Sequence, residues 1–215
     1  MIHRSSTLGP HSGIGIIEVG LGNIASVQRM LEKAGAKSIL ARTPEDLLGV
    51  EKIVLPGVGH FDEGIKKLQR SGFADTLVKL VTERNIIVMG ICLGMHLLCR
   101  SSQEGSEYGL ALIDADVKKF QFTEDMGLKV PHMGWNVVTS TRTNTLLPPS
   151  VEERRFYFVH SYKVVPKDPE ITIGTADYGG GFCAAFQQGT VFGVQFHPEK
   201  SHRFGMELMQ RFVEL

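Results

Sequence analysis

The sequence lacks the features that identify membrane-spanning, secreted or nucleic-acid-binding proteins. No apolar run approaches the roughly 18 residues of a membrane span, and the first residues contain no apolar segment typical of a secretory signal. Basic and acidic residues each number 23, so the formal net charge of +0 provides no general attraction for nucleic acid or an anionic membrane. We therefore expect no nucleic-acid partner and no membrane partner.

Cysteine is scarce, and the sequence contains no metal-binding or cofactor-binding motif. The three cysteines, Cys92, Cys99 and Cys183, are odd in number and irregularly spaced. This pattern fits a reducing compartment rather than a disulfide framework, and none of the spacings is typical of a zinc site. We predict a cytoplasmic protein that uses neither a metal nor a cofactor.

The composition is that of an ordinary folded domain, with 42% hydrophobic and 21% charged residues in a chain of 215. Residues 1–12 contain Ser, Gly and Pro without periodicity, which predicts a mobile leader before one domain over residues 13–215. Strand-like and helix-like segments alternate over residues 15–100, and closely spaced strands follow a loop at 101–105. We predict an α/β fold: one doubly wound, mostly parallel (mixed) sheet flanked by helices, with antiparallel additions in the C-terminal half.

The most informative stretch is Gly90-Ile91-Cys92-Leu93-Gly94, between an apolar run at 86–89 and a predicted helix over 93–100. Gly-x-Cys-x-Gly between a buried strand and a helix is the nucleophile-elbow pattern with Cys in place of Ser. The glycines permit a sharp turn that exposes the sulfur, and the helix N-terminus behind it favours a thiolate. A buried structural cysteine explains this stretch equally well when it is taken alone.

Two other predicted strand ends supply groups that a cysteine nucleophile needs. One strand runs into His197-Pro198-Glu199, and a histidine there can act as base while Glu199 orients it. Another strand ends in Pro56-Gly57-Val58-Gly59, where backbone N–H groups can form an oxyanion hole. Together the three strand ends favour a catalytic triad over a core thiol and a satisfied strand-end histidine.

Four more histidines lie next to these candidate loops. From the residues alone we expect their partners to be solvent or backbone rather than reacting groups: His60, His96, His132 and His160.

The chain resembles the class I (triad-type) glutamine amidotransferases, and most closely the glutaminase subunits of imidazole glycerol phosphate synthase. The resemblance extends over residues 15–215. The cysteine and histidine blocks mark the superfamily, and the Pro-His-Met-Gly-Trp-Asn and Phe-Val-His-Ser-Tyr blocks indicate the histidine-pathway subunit. The matching blocks are 20–27, 55–61, 90–95, 130–136, 156–162 and 195–201.

The resemblance implies hydrolysis of L-glutamine to glutamate and ammonia through a thioester on Cys92, with His197 as proton carrier and Glu199 as its orienting group. It further implies a heterodimer with a (β/α)₈ cyclase subunit. This partner would use the ammonia, delivered away from water, to make imidazole glycerol phosphate and an aminoimidazole carboxamide nucleotide in L-histidine biosynthesis.

The resemblance also assigns residues around the triad. For the oxyanion hole and the glutamine pocket it implies Gly57, Val58, Gly59, Leu93, Gly94, His96, His160, Ser161 and Tyr162. For the partner interface it implies Asn23, Trp135 and Lys200, with Tyr162 also near the path of the activating signal.

Two departures from the family pattern keep alternatives open. His96 stands where the family usually has a glutamine that holds the substrate, and Glu18-Val19-Gly20 replaces a usual Asp-Tyr-Gly. One alternative is a paralogous subunit that feeds ammonia to another synthase, such as a surface-sugar amidination enzyme. Another is a catalytically silent regulatory or binding subunit, against which the intact Cys92, His197 and Glu199 argue. A cysteine peptidase is disfavoured by the family blocks.

Overall fold

The computed structural model describes residues 13–215, so the leader predicted at 1–12 lies outside the described residues. Five helices and twelve strands follow one another along this range. The helices are α1 (Ile24–Lys33), α2 (Phe61–Arg70), α3 (Phe73–Arg84), α4 (Leu93–Leu97) and α5 (His202–Glu214). The strands are β1 (Ile14–Ile17), β2 (Ser38–Ala41), β3 (Lys52–Gly57), β4 (Ile87–Cys92), β5 (Ser101–Ser102), β6 (Ala115–Lys119), β7 (His132–Ser140), β8 (Arg154–His160), β9 (Tyr162–Pro166), β10 (Thr172–Asp177), β11 (Gly181–Gln188) and β12 (Val191–Val194).

All twelve strands belong to one mixed sheet, which confirms the predicted fold class. The main order is β2-β1-β3-β4-β12-β11-β10-β7-β8, and β5, β6 and β9 branch from β11. Neighbours from β2 to β12 run parallel. The remaining neighbours on the main path run antiparallel, as the short spacing between C-terminal strands predicted.

The sheet separates two apolar layers. One layer packs α2, α3 and α4 against the sheet through residues such as Phe61, Leu77 and Leu97. The other packs α1 and α5 through residues such as Leu31 and Phe212. Both layers bury the helix positions that recur every three to four residues, so the central parallel strands are covered on both faces.

The segment after the elbow differs from the prediction in two ways. The helix ends at Leu97 rather than Arg100, because the carbonyl oxygens of residues 97–100, which another helical turn would need, accept backbone N–H groups of residues 109–111 and 113. Residues Ser101 and Ser102, predicted as loop, form the short strand β5 because they pair in parallel with β6.

Candidate active site

The turn between β4 and α4 holds Cys92 in a strained backbone conformation, with φ 53° and ψ −110°. A non-glycine residue with positive φ is uncommon and marks a constrained site. Glycine is required on both sides, because a Cβ on Gly94 would overlap the Leu55 carbonyl oxygen and one on Gly90 would overlap the Gly94 backbone. The elbow predicted from the spacing of these residues is therefore present.

Sheet register brings the three predicted loops to one edge. Gly57, the last residue of β3, pairs with Cys92 at the end of β4. On the other side of β4, β12 runs parallel with Val194 opposite Ile91, so His197 follows directly beyond the same edge. The carboxyl ends of parallel strands form the usual ligand-binding edge of an open α/β sheet.

His197 and Glu199 form a buried pair beside Cys92. The His197 Nδ1–H donates to Oε1 of Glu199 over 2.7 Å, and the two side chains are only 2% and 5% exposed. The buried Nε2 of His197 has no hydrogen-bond partner among residues 13–215. Burial alone lowers the His197 pKa, but interactions with Cys92 and then Glu199 outweigh it and raise this pKa to about 9.

A pocket of about 320 Å³ opens above the cysteine. It brings together most of the residues predicted for the oxyanion hole and the substrate, while Gly57 and Gly94 lie at its base next to Cys92 and Leu93 rather than in its lining. Its lining residues are Val58, Gly59, Cys92, Leu93, His96, Glu104, Pro131, Val159, His160, Ser161 and Tyr162.

His96 lines this pocket but directs its hydrogen bond elsewhere. Its Nε2 lies 2.7 Å from Oε1 of Gln195, which makes the imidazole the donor because a carbonyl oxygen only accepts. The Gln195 amide in turn points its nitrogen toward the Cys92 sulfur at 4.0 Å. Burial lowers the His96 pKa to about 4, so the ring is neutral at pH 7.

The expectation of solvent or backbone partners holds for only part of the histidine set. His60 accepts a hydrogen bond from the backbone N–H of Asp62, as expected. The expectation is wrong for His96, whose ring bonds the side chain of Gln195. It is also wrong for His132, whose Nδ1 lies 2.9 Å from Nε2 of His160. These partners are distant in sequence, so the local patterns contain no signal for them.

The pocket also contains residues that the sequence did not indicate. Glu104 adds a carboxylate, whose Oε2 accepts the backbone N–H of Phe61 over 2.9 Å. Pro131 and Val159 add apolar wall. Gln195, which contacts His96 from outside the pocket lining, had a detectable signal, because it stands two residues before His197 in the block that marks the superfamily. Glu104 had none, since it lies in a polar loop of ordinary composition.

The residues predicted at a partner interface lie on the surface, and two of them share a cluster. Trp135 is 48% exposed and stacks on His202 with ring centroids 5.2 Å apart. The Lys200 ammonium lies 5.5 Å from the Tyr157 ring, which also contacts Trp135. Asn23 caps α1 through Oδ1, which accepts the Ser26 N–H. Their role at an interface stays a prediction.

Within the described range, no group of three or more His, Cys, Asp or Glu residues is arranged to hold a metal ion. None of the helices in residues 13–215 is long and apolar enough to cross a membrane.

Solved structures define the class of this fold. The chain superimposes on PurLQS from Thermotoga maritima with a TM-score of 0.72 and 18% identity, over 95% of this chain and 98% of that one. A second solved structure, of a glutamine amidotransferase, matches with a TM-score of 0.68 and 20% identity over 92% and 99% of the two chains. At these identities the likeness concerns the fold alone.

Sequence comparison identifies the family. The family model described as glutamine amidotransferase class-I matches residues 15–215, and the chain belongs to this family. Among curated relatives, imidazole glycerol phosphate synthase subunit HisH 2 of Pseudomonas aeruginosa is 48% identical over 93% of this chain and 98% of its own. The subunit HisH 2 of Methanococcus maripaludis is 44% identical, covering 94% and 98%, and HisH of Leptospira borgpetersenii is 42% identical, covering 94% and 100%.

Proposed function

We propose that this protein is the glutamine-hydrolysing subunit of an imidazole glycerol phosphate synthase and supplies ammonia for L-histidine biosynthesis. The observation that carries the proposal is the buried Cys92–His197–Glu199 arrangement at one edge of the sheet, beneath a pocket of amino-acid size. The names of relatives that align over more than nine-tenths of the chain support the pathway.

In the proposed reaction, the Cys92 sulfur attacks the side-chain amide carbon of glutamine. His197 carries the thiol proton on Nε2 and transfers it to the departing nitrogen, so ammonia leaves as the carbon–nitrogen bond breaks. A water molecule, deprotonated by the same Nε2, then cleaves the glutamyl thioester to release glutamate and restore the thiol. Glu199 holds the imidazole through Nδ1 and stabilises its protonated form.

The surrounding pocket residues fit this reaction. Backbone N–H groups of the loop at 57–59 and of Leu93 are proposed to hold the oxyanion. The Glu104 carboxylate is suited to the α-ammonium group of glutamine. Further polar contacts come from Ser161 and Tyr162, and the His160 ring lines the same pocket. Gly94 serves by allowing α4 to begin directly behind the sulfur.

The proposed partner is a (β/α)₈ cyclase subunit in a heterodimer. Asn23, Trp135 and Lys200 are the proposed contact residues, and the exposed Met133 beside Trp135 adds apolar surface there. Ammonia passed within the complex avoids protonation in water at neutral pH. We propose a cytoplasmic location, in keeping with three unpaired cysteines.

A second candidate has the same chemistry and a different ammonia acceptor. Two observations favour it. At the end of β1, Nε of Arg42 lies 2.7 Å from Oε2 of Glu18 in a surface ion pair. The second observation is the hydrogen bond from His96 to Gln195. Both occur where this sequence departs from the usual family residues. Recovering the synthase that copurifies with the protein decides between the two acceptors.

The decisive test is glutamate release in the presence of a cyclase subunit and its nucleotide substrate. We expect stimulated release by the wild type and a loss of at least about a thousandfold in Cys92→Ala, since the nucleophile is gone. Cys183→Ala is the matched control, because Cys183 is also a buried free thiol but lies outside the pocket. Undiminished release by Cys92→Ala, or no release by the wild type under any condition, would contradict the proposal.

A further inference from the structure

Two buried histidines face each other across strands β7 and β8, where His160 lines the pocket and His132 lies behind it. His132 and His160 are paired in the register of the two strands. Nδ1 of His132 lies 2.9 Å from Nε2 of His160. Aromatic rings surround the pair: Phe120, Phe158, Tyr178 and Phe182.

The contacts of Asn136 determine which ring nitrogen donates. Its Oδ1 accepts the Val137 N–H over 2.8 Å, and its Nδ2 donates to the Asp177 carbonyl over 2.7 Å, so the amide has one possible orientation. The same Nδ2 lies 3.2 Å from Nε2 of His132, which must therefore accept. A neutral imidazole has one donor and one acceptor, so His132 Nδ1–H donates to Nε2 of His160.

The chain of hydrogen bonds ends on the pocket wall. Since Nε2 of His160 accepts, its Nδ1–H donates, and it lies 2.7 Å from the Tyr162 carbonyl oxygen. The neighbouring Ser161 carbonyl accepts the Phe120 N–H over 3.0 Å. Both carbonyls of the lining segment Ser161–Tyr162 are thus engaged, which fixes the rotation of their peptide planes.

We propose that His132 and His160 are positioning residues that hold the Ser161–Tyr162 wall of the glutamine pocket through this one-directional chain of hydrogen bonds. The inference rests on the proposed glutaminase function, because glutamine is the ligand whose fit the wall determines. Asn136, on strand β7, sets the donor-to-acceptor direction of these hydrogen bonds. Neither histidine has a hydrogen bond to Cys92 among the contacts of the described residues.

Both rings are suited to this role because they stay neutral at physiological pH. Burial lowers the pKa of His132 to about 4. Burial also dominates at His160, where it outweighs the bond to the Tyr162 carbonyl and brings the pKa to about 3. A second proton on either ring would place two hydrogen-bond donors against each other. The donor-to-acceptor direction of these hydrogen bonds therefore requires that both rings be neutral.

The test measures how much L-glutamine protects Cys92 from iodoacetamide in the presence of a cyclase subunit. Alkylation of the Cys92 peptide is followed by mass spectrometry. In His132→Leu, which removes the hydrogen bond to His160 without touching the pocket lining, we expect the half-protecting concentration to rise about tenfold. His132→Asn, which keeps a donor near the position of Nδ1, should recover most of the loss. The alkylation rate without glutamine should stay within about twofold of wild type, because the chain acts on the substrate wall and not on the sulfur.

Two further measurements keep the proposal falsifiable if His132→Leu fails to fold. Long-range proton–nitrogen NMR of the wild type should show both rings with the proton on Nδ1, and Asn136→Asp should move it on His132 to Nε2 because the new carboxylate accepts. Tyr178→Phe, which keeps the ring stacked on His132 at 4.1 Å, is the matched control and should change neither readout.

The outcomes separate this inference from the proposed function. If glutamine does not protect wild-type Cys92, the proposed function fails. If it protects wild type and His132→Leu at equal concentrations, the positioning role alone is overturned. If the wild-type His132 or His160 ring is protonated on Nε2, or on both nitrogens, the proposed series of hydrogen bonds is overturned.

Discussion

At the scale of single residues, the site depends on opposing effects of burial and charge on its histidines. Burial lowers the pKa of His96 to about 4 because its partner, the Gln195 amide, is uncharged. His197 is also buried, yet Cys92 and Glu199 raise its pKa to about 9. Two buried histidines therefore differ in protonation: His96 is a neutral hydrogen-bond donor, and His197 is suited to its proposed role as proton carrier.

The pKa of His197 provides a residue-scale prediction. In a proton–nitrogen NMR titration of the wild type, the His197 ring should remain protonated through pH 8 and lose its proton near pH 9. In Cys92→Ala the pKa should fall, because the first of the two stabilising partners is gone while burial still favours the neutral ring.

Glu199→Gln should lower the His197 pKa as well, since a neutral amide replaces the carboxylate. Cys99→Ala, a buried thiol outside the triad, is the control and should leave the titration unchanged. A wild-type ring that titrates at its ordinary pKa of about 6.5 would contradict the assignment.

At the scale of elements, the elbow depends on glycines that let β3, β4, β12 and α4 approach closely. Besides Gly90 and Gly94, a Cβ on Gly57 would meet the Gly94 nitrogen at 2.7 Å, and one on Gly193 would meet Met95 at 2.6 Å. Gly57, Gly90 and Gly94 therefore let backbone approach at the proposed nucleophile, whereas Gly193 leaves room for the Met95 side chain. The strain at Cys92 is maintained by this packing.

Gly94→Ala tests the packing of the elbow. The new methyl group would overlap the Leu55 carbonyl oxygen, which is backbone and cannot rotate away. We expect a loss of about 1–3 kcal/mol in the free energy of unfolding, measured by chemical denaturation, together with a slower alkylation of Cys92.

The matched control for this variant is Gly181→Ala, at the start of β11. A Cβ there has open space within 4 Å, and its backbone does not require positive φ. The unfolding free energy of this variant should stay within about 0.5 kcal/mol of wild type. Equal stability of the two alanine variants would show that the close approach of α4 to β3 is not required.

At the scale of the whole molecule, one sheet joins the two apolar layers and the two halves of the chain. The parallel half and the antiparallel half meet where β12 lies between β4 and β11. The proposed triad lies at this junction, since Cys92 ends β4 and His197 follows β12. Stability and site geometry therefore depend on the same central strands.

Phe212→Ala on α5 tests whether the two apolar layers unfold together. Phe212 is fully buried in the layer opposite α2 and α3, so its truncation should cost about 3–5 kcal/mol. Because the sheet is shared, urea unfolding should remain a single transition that coincides in circular dichroism and in fluorescence of Trp135, the sole tryptophan.

Val151→Ala is the control for Phe212→Ala, because Val151 is fully exposed and its truncation should leave the midpoint of unfolding unchanged. Two separated transitions in the Phe212→Ala variant would mean that the layers unfold independently.

The sequence by itself determined the features that depend on local spacing. The elbow at Cys92, the strand end at Gly57, the position of His197 beyond β12 and the antiparallel additions in the C-terminal half were all predicted and are all present. Glycine at a sharp turn, and the alternation or absence of helices between strands, leave a signal within a few consecutive residues.

Only the tertiary structure decided which distant residues meet. The pair of His96 with Gln195 joins residues 99 positions apart, and Glu104 enters the pocket from a loop with no motif. His132 meets His160 because the register of β7 and β8 places them opposite each other. Such contacts arise from strand order and register, which are set by burial of the whole sheet and not by any local pattern.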